Sequence, residues 1–364
     1  MQYPPEPLFD VLRAYAALYP PRLLQFPREF KFHQVHNFLV DSILLNRHFQ
    51  EYPPSAQYQA SFWKWAIDRL ENYGEEDIEL DERLYAHHIA LMTEASSGAS
   101  IGLAPPPESY VTYMWKAGEL ANGAVYPGYE SATLLESRTM IESGTTGYRT
   151  WTASLSLAQY LTAYPELVQG KRVLELGSGS GFLGIAISAL QSQPDLSDAQ
   201  FAALWLTDLT EDVLQRCSRN ITLPCNTSSR HPNVHCRLLD WSDALDSAKD
   251  SAVKEFLHEA NPDVIIGADL VYEPSVIPAL VGMLRSGIET PTSKNIVAYI
   301  ALTVRNQDTY NKFLGEAERC LVVEELTIPT PGDGLLTPDA EFGKSETRPE
   351  VKILKIRRNT VTLQ

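Results

Sequence analysis

Several features are scarce in this sequence, and each scarcity narrows what the chain can be. No run approaches the ~20 consecutive apolar residues that a helix needs to cross a bilayer. The opening MQYPPEPLFD lacks the basic-then-apolar layout of a secretory leader. A soluble, cytosolic protein without a membrane partner is therefore expected. The four cysteines, Cys217, Cys225, Cys236 and Cys320, form no paired framework, so reduced thiols are expected. Cys217, Cys225, His231, His235 and Cys236 crowd together, but without the tight C-x2-C pair that anchors most zinc sites. A solvated loop is the expectation there, with no metal. Lysine- and arginine-rich runs are also missing, and a formal net charge of −16 repels phosphate backbones. Nucleic acid is thereby a poor partner, whereas a basic, lysine-presenting protein would be drawn in. The run ENYGEEDIELDE, Glu71 to Glu82, holds seven acids and no base, and reads as a solvated loop linking helices.

What remains is ample for a core: 364 residues, of which 44% are hydrophobic, suffice for two domains. From Leu8 to about Glu94 apolar residues recur at helical intervals, as in Phe30, Val35, Phe38, Leu39, Ile43 and Leu44, and again in Phe62, Ala66, Ile67 and Leu70. An N-terminal helical domain is expected over residues 1–120, its turns marked by prolines and its end by the linker-like SSGASIGLAPPPES. The second domain is expected over residues 121–364. Beyond Gly170, β-rich runs such as RVLEL, ALWLT, VHCRLL, DVIIGA and NIVAYIAL alternate with helical ones. That alternation predicts an α/β fold, a parallel sheet covered by helices on both faces. CLVVEEL and VKILKI break the rhythm as two strands with no helix between them, hence an antiparallel pair joined by the long polar stretch PGDGLLTPDAEFGKSETRP.

The first of those strands runs into Val173-Leu174-Glu175-Leu176-Gly177-Ser178-Gly179-Ser180-Gly181 and then an apolar helix. Glycines there permit a tight reversal and close approach of backbone to a ligand, while the helix start offers free N–H groups. Gly179 to Gly184 also satisfies G-x-G-x-x-G, which keeps a nicotinamide dinucleotide in contention. Asp208 closes the second strand, where an acid reaches the ribose hydroxyls of NAD or of S-adenosylmethionine alike. Asp240 and Trp241 close the third, where a polar group and a flat ring suit an adenine edge and face. With Glu175, Asp208 and Asp240 at three strand tips of one sheet, the pattern points to a nucleoside site.

The succession Glu175-Leu-Gly-Ser-Gly-Ser-Gly, strand-end Asp208, Asp240-Trp241 and Asp269-Leu-Val-Tyr272 resembles the seven-β-strand S-adenosylmethionine-dependent methyltransferases, in particular their protein-lysine branch. GTTGYRTW, ending at Trp151, behind a helical N-terminal extension is similar to the methyltransferases that modify a lysine of translation elongation factor 2. The resemblance implies a Rossmann-like seven-stranded sheet whose last strand is antiparallel, S-adenosyl-L-methionine as cofactor, and elongation factor 2 as protein partner. It implies cofactor contacts at Trp151, Glu175, Gly177, Ser178, Gly179, Asp208, Asp240, Trp241 and Ala268. The chain is expected to act as a monomer.

On this reading GADLVYEP, Gly267 to Pro274, is the acceptor side. Asp269 attracts and orients the lysine ammonium, and Tyr272 forms a wall of the slot, with its ring available for a cation–π contact. A plainer alternative has Asp269 capping the helix EPSVIPALVGML with Tyr272 packed beneath it. The absence of an N/D-P-P-Y/F tetrapeptide argues against adenine-N6 and glutamine acceptors. Two other classes stay in view: a nicotinamide-dependent dehydrogenase, which needs a second nucleotide-binding half and a proton-relaying Tyr/Lys or His, and a binding module worked by the helical half.

Overall fold

The computed structural model of the chain describes residues 6–74, 78–97, 108–116, 125–137, 145–192, 202–290, 295–328 and 350–359. They fall into two compact units, the first within Met1–Gly144 and the second opening at Thr145. The linker SSGASIGLAPPPES, the segment around residue 120 and the long C-terminal polar stretch lie wholly or largely outside the described residues. None of the described helices is long and apolar enough to cross a membrane.

In the first unit, α1 (Glu6–Ala16), α2 (Phe32–Phe38), α3 (Arg47–Glu51), α4 (Ala56–Glu71) and α5 (Glu82–Ser97) follow in order. The helical spacing in the sequence is the buried stripe of these helices: Phe62, Trp63, Ala66, Ile67 and Leu70 all point inward from α4. Ser55 starts that helix by accepting the Tyr58 N–H. Tyr15 of α1 packs its ring on Phe49, Phe62 and Trp63 and donates its hydroxyl to Gln59 at 3.1 Å. The unit also holds a feature absent from the helical expectation. β1 (Ser109–Lys116) and β2 (Tyr129–Glu136) pair antiparallel over their full lengths. Buried His48 reaches this hairpin through Nε2, 3.1 Å from the Thr112 hydroxyl and 3.2 Å from that of Thr133.

The second unit carries the expected alternation. After α6 (Thr152–Ala163) come β3 (Arg172–Leu176), α7 (Phe182–Gln191), β4 (Ala203–Asp208), α8 (Glu211–Ile221) and β5 (Val234–Leu238). They are followed by α9 (Asp250–Ala260), β6 (Val264–Ala268), α10 (Ile277–Glu289), β7 (Val297–Thr303), α11 (Gln307–Ala317), β8 (Leu321–Leu326) and β9 (Val351–Arg358). The seven strands lie in the order β5-β4-β3-β6-β7-β9-β8. All neighbours are parallel until β9, which inserts antiparallel between β7 and β8.

Register shows which side chains face which layer. Leu174 pairs with Trp205, and both join the core that α9, α10 and α11 cover with Leu257, Leu284 and Phe313. Glu175 pairs with Leu206 and Ile266 on the opposite face. There α7 approaches so closely that a Cβ on Gly184 would lie 2.8 Å from Leu206 Cδ1. All ten residues of α7 are buried. The sheet therefore has helices on both faces, and the strand order reverses at β3, between β4 and β6. Ligands of open α/β sheets bind at such a switch, beyond the carboxyl ends of the strands.

Candidate active site

The turn after β3 holds three glycines in the left-handed region, with φ 65° at Gly177, 52° at Gly179 and 91° at Gly181. Only glycine takes that conformation freely, and space enforces it twice over. A Cβ on Gly177 would meet Leu270 at 2.7 Å and the Trp241 ring at 3.4 Å, and one on Gly179 would stand 3.1 Å from the Gly147 carbonyl. Ser178 staples the turn to β4, donating its N–H to the Thr207 carbonyl at 2.8 Å and accepting the Thr207 N–H at 3.1 Å. Asp208, the last residue of β4, accepts the Gly179 N–H at 3.0 Å and the Leu209 N–H at 2.8 Å. Burial pushes its carboxyl above the ordinary range, against the opposing pull of the N–H groups of Gly179, Leu209 and Thr210.

Glu175 lies inside the strand, one residue short of its end, and is 2% exposed. This corrects its expected place at a strand tip: the side chain is buried within the sheet layer. Its Oε2 has no partner among the described residues. Burial pushes the carboxyl up to about 8, the Ser178 hydroxyl pulls it back, and Asp208 adds to the rise.

Asp240 stands two residues beyond β5, exposed, and accepts the Ser242 N–H at 2.8 Å as the cap of a short 3-10 turn over Trp241–Leu245. Those Ser242 contacts hold its carboxyl below the ordinary range. Trp241 rests on Gly177 and on the apolar core, with its indole N–H buried. Trp151 opens α6 and donates its N–H to the Thr146 carbonyl at 3.1 Å. The glycine turn thus gathers Glu175, Ser178, Asp208 and Trp241. His231 and His235, considered as metal ligands, instead bond to Gln191 and Asn233, while Cys217 is buried against Gly181.

Ala268 ends β6, the strand beside β3, and Asp269 follows it in the left-handed region at φ 55°. The Asp269 carboxylate does not cap α10, whose first residue is Ile277. It accepts the Thr303 N–H at 2.9 Å, the Thr303 hydroxyl at 3.0 Å and the Arg305 guanidinium at 2.9 Å. That guanidinium also lies 5.1 Å from the centre of the Trp151 ring, which the Arg149 guanidinium approaches to 5.4 Å. Tyr272 is 59% exposed rather than packed beneath a helix. Partial burial, Glu273 and Asp208 push its phenol above the ordinary range.

Arg149, Thr303, Arg305 and Leu270 also meet here, though none is among the residues expected from the sequence. A signal was available, since Thr303 and Arg305 sit at a strand end like Asp208 and Asp269. A separate cavity of about 680 Å³ opens at the sheet edge beside β5, and of the site residues above only Asp240 lines it.

A family model described as lysine methyltransferase matches residues 133–319. Protein-lysine N-methyltransferase EFM3 of Chaetomium thermophilum is 35% identical over 224 residues, 61% of each chain. Protein-lysine N-methyltransferase EEF2KMT of Bos taurus is 28% identical over 316 residues, 84% of this chain and 82% of that one. The EEF2KMT of Homo sapiens is 30% identical over 277 residues, 74% of this chain and 72% of that one.

Proposed function

We propose that this chain, which belongs to the lysine methyltransferase family, transfers a methyl group from S-adenosyl-L-methionine to a lysine of translation elongation factor 2. Glu175 carries the cofactor reading: a buried carboxyl keeps an unpartnered oxygen two residues before a glycine turn that is packed too closely for a Cβ at Gly177. Such an orphan is costly by itself and is matched by a ligand bearing an ammonium. Trp151, Glu175, Gly177, Ser178, Gly179, Asp208, Asp240, Trp241 and Ala268 would hold S-adenosylmethionine. When bound, that cofactor supplies an electrophilic methyl group on a sulfonium.

The chain's own residues then have two tasks. Asp208 and Ser178 fix the glycine turn so that its backbone is already in place before a ligand arrives. Asp269 and Tyr272, beyond the neighbouring strand, orient the acceptor nitrogen and keep water from the line of attack. Elongation factor 2 as acceptor is supported by the GTTGYRTW resemblance and by relatives named EEF2KMT. The helical domain over residues 1–120, which carries no chemical constellation of its own, reads the surface of that acceptor in this proposal.

Calorimetric titration with S-adenosylmethionine and with NAD, followed by labelling of an extract lacking this activity, tests the reading. Binding of the first alone, and label on a lysine of elongation factor 2 by mass spectrometry, are expected. Label on another protein would overturn the target, and tight binding without any transfer would overturn the activity.

A further inference from the structure

The carboxylate that would receive a lysine ammonium is already engaged. Asp269 is 6% exposed and takes three donors, the last of them the Arg305 guanidinium. Arg305 in turn shares the Trp151 ring with Arg149, and no carboxylate pairs with Arg149 among the described residues. Two guanidiniums on one ring thus accompany one anion, so these three groups together are net positive where Asp269 alone would be negative. The elements meeting here also bring Tyr272 and Glu273 after Asp269, Asp308 in the first turn of α11, and Glu350 with its partner Lys352. None of these pairs with Arg305, and Glu273 accepts from Ser275.

We propose that Arg305 and Arg149, arrayed on Trp151 with Arg305 covering Asp269, act as positioning residues that disfavour the protonated form of the acceptor amine. The inference rests on the reading that the acceptor is a lysine entering beside Asp269. A free lysine is protonated below pH ~10.4, and only the neutral amine has the lone pair that attacks. A nearby like charge disfavours an ammonium, and a guanidinium keeps its charge at any working pH. The proton leaves to solvent as the amine enters, and Asp269, already satisfied, need not receive it. Stacking on Trp151 and pairing with Asp269 hold the Arg305 charge in place.

The test uses the full chain, S-adenosylmethionine and the protein acceptor, with kcat, which reads the bound complex, measured against pH for wild type, R305Q, R305K and R149Q. In R305Q the acid limb moves up by about one unit, which is a loss of about tenfold at neutral pH that is recovered in alkaline buffer. R305K keeps the charge and restores the wild-type limb. Calorimetry finds cofactor affinity within about twofold of wild type in R305Q. A loss that is the same at every pH, or a fall in cofactor affinity, would overturn the inference. Should R305Q fail to fold, R149Q carries the test: its limb also moves up, and an unmoved limb overturns the inference. A wild-type enzyme that labels no lysine at any pH would sink the function itself. A wild-type enzyme that labels lysine while the variants keep its limb would sink only this proposal.

Discussion

Glu175 shows how far burial can set a single residue's chemistry. Burial pushes its carboxyl up to about 8, which favours the protonated form at neutral pH in the cofactor-free protein. An ammonium brought to the orphan oxygen favours the carboxylate, and binding below that pH then expels a proton. Affinity for S-adenosylmethionine should therefore climb with pH, by up to about tenfold per unit, and level off above about pH 8. Calorimetry in buffers of differing ionisation enthalpy reads the released proton; Glu175→Gln flattens the slope, and a variant keeping it would remove Glu175 from the site. For folding the direction is opposite. The folded value lies above the ordinary 4.5, so the group's contribution to stability is full below pH 4.5 and is lost as pH rises through about 8. Glu175→Gln should accordingly melt above wild type in alkaline buffer. Asp208→Ala acts differently, because it unpairs the N–H groups of Gly179 and Leu209. At about 1–3 kcal/mol per unsatisfied group, a loss of cofactor affinity of tenfold or more is expected by the same calorimetry. The ELGSGSG pattern reveals an acid beside glycines, but not its burial, which comes from residues such as Ser178 and Asp208 that the fold brings around it.

At the scale of elements, the strands and helices of the second unit were legible because period-2 and period-3.6 patterns alternate cleanly there. The β1–β2 hairpin was not. SYVTYMWK alternates weakly and sits beside a Ser/Gly/Pro-rich stretch, and its pairing depends on YESATLLE, from which residues 117–128 separate it. Equally hidden was the staple that joins the hairpin to the helices, since His48, Thr112 and Thr133 are distant in sequence. Burial, opposed by Glu51, lowers the His48 ring from 6.5 to about 4, so it sits among the two hydroxyls as a neutral ring. A base with a lowered folded value contributes stability that is full above pH 6.5 and is lost as pH falls through about 4. Denaturant unfolding should therefore show the first unit losing on the order of 3 kcal/mol across that window. His48→Gln would start lower and lose less. An equal acid slope in both proteins would show that the ring is not the group responsible.

For the whole molecule, composition spoke to long range and the strand tips to short range, and the two carry opposite signs. On the proposed reading, a net charge of −16 would draw a basic, lysine-presenting surface toward the protein, while the guanidiniums on the Trp151 ring would meet the amine once it arrives. An acidic field of this kind governs encounter and is screened beyond ~10 Å at about 0.1 M salt. The acidic excess was legible from residue counts; the local reversal was not, because Arg149, Asp269 and Arg305 come together only when β6 and β7 pair beside α6. The two ranges separate in kinetics. Raising salt from about 50 to about 500 mM should increase KM for the protein acceptor on the order of tenfold, whereas kcat, set by groups within the slot, changes little. A short acceptor peptide, with less basic surface for the field to act on, should show a smaller change in KM. If the protein acceptor's KM stayed constant across that range, capture would rest on contacts independent of the field, and the acidic surface would have no part in choosing the substrate.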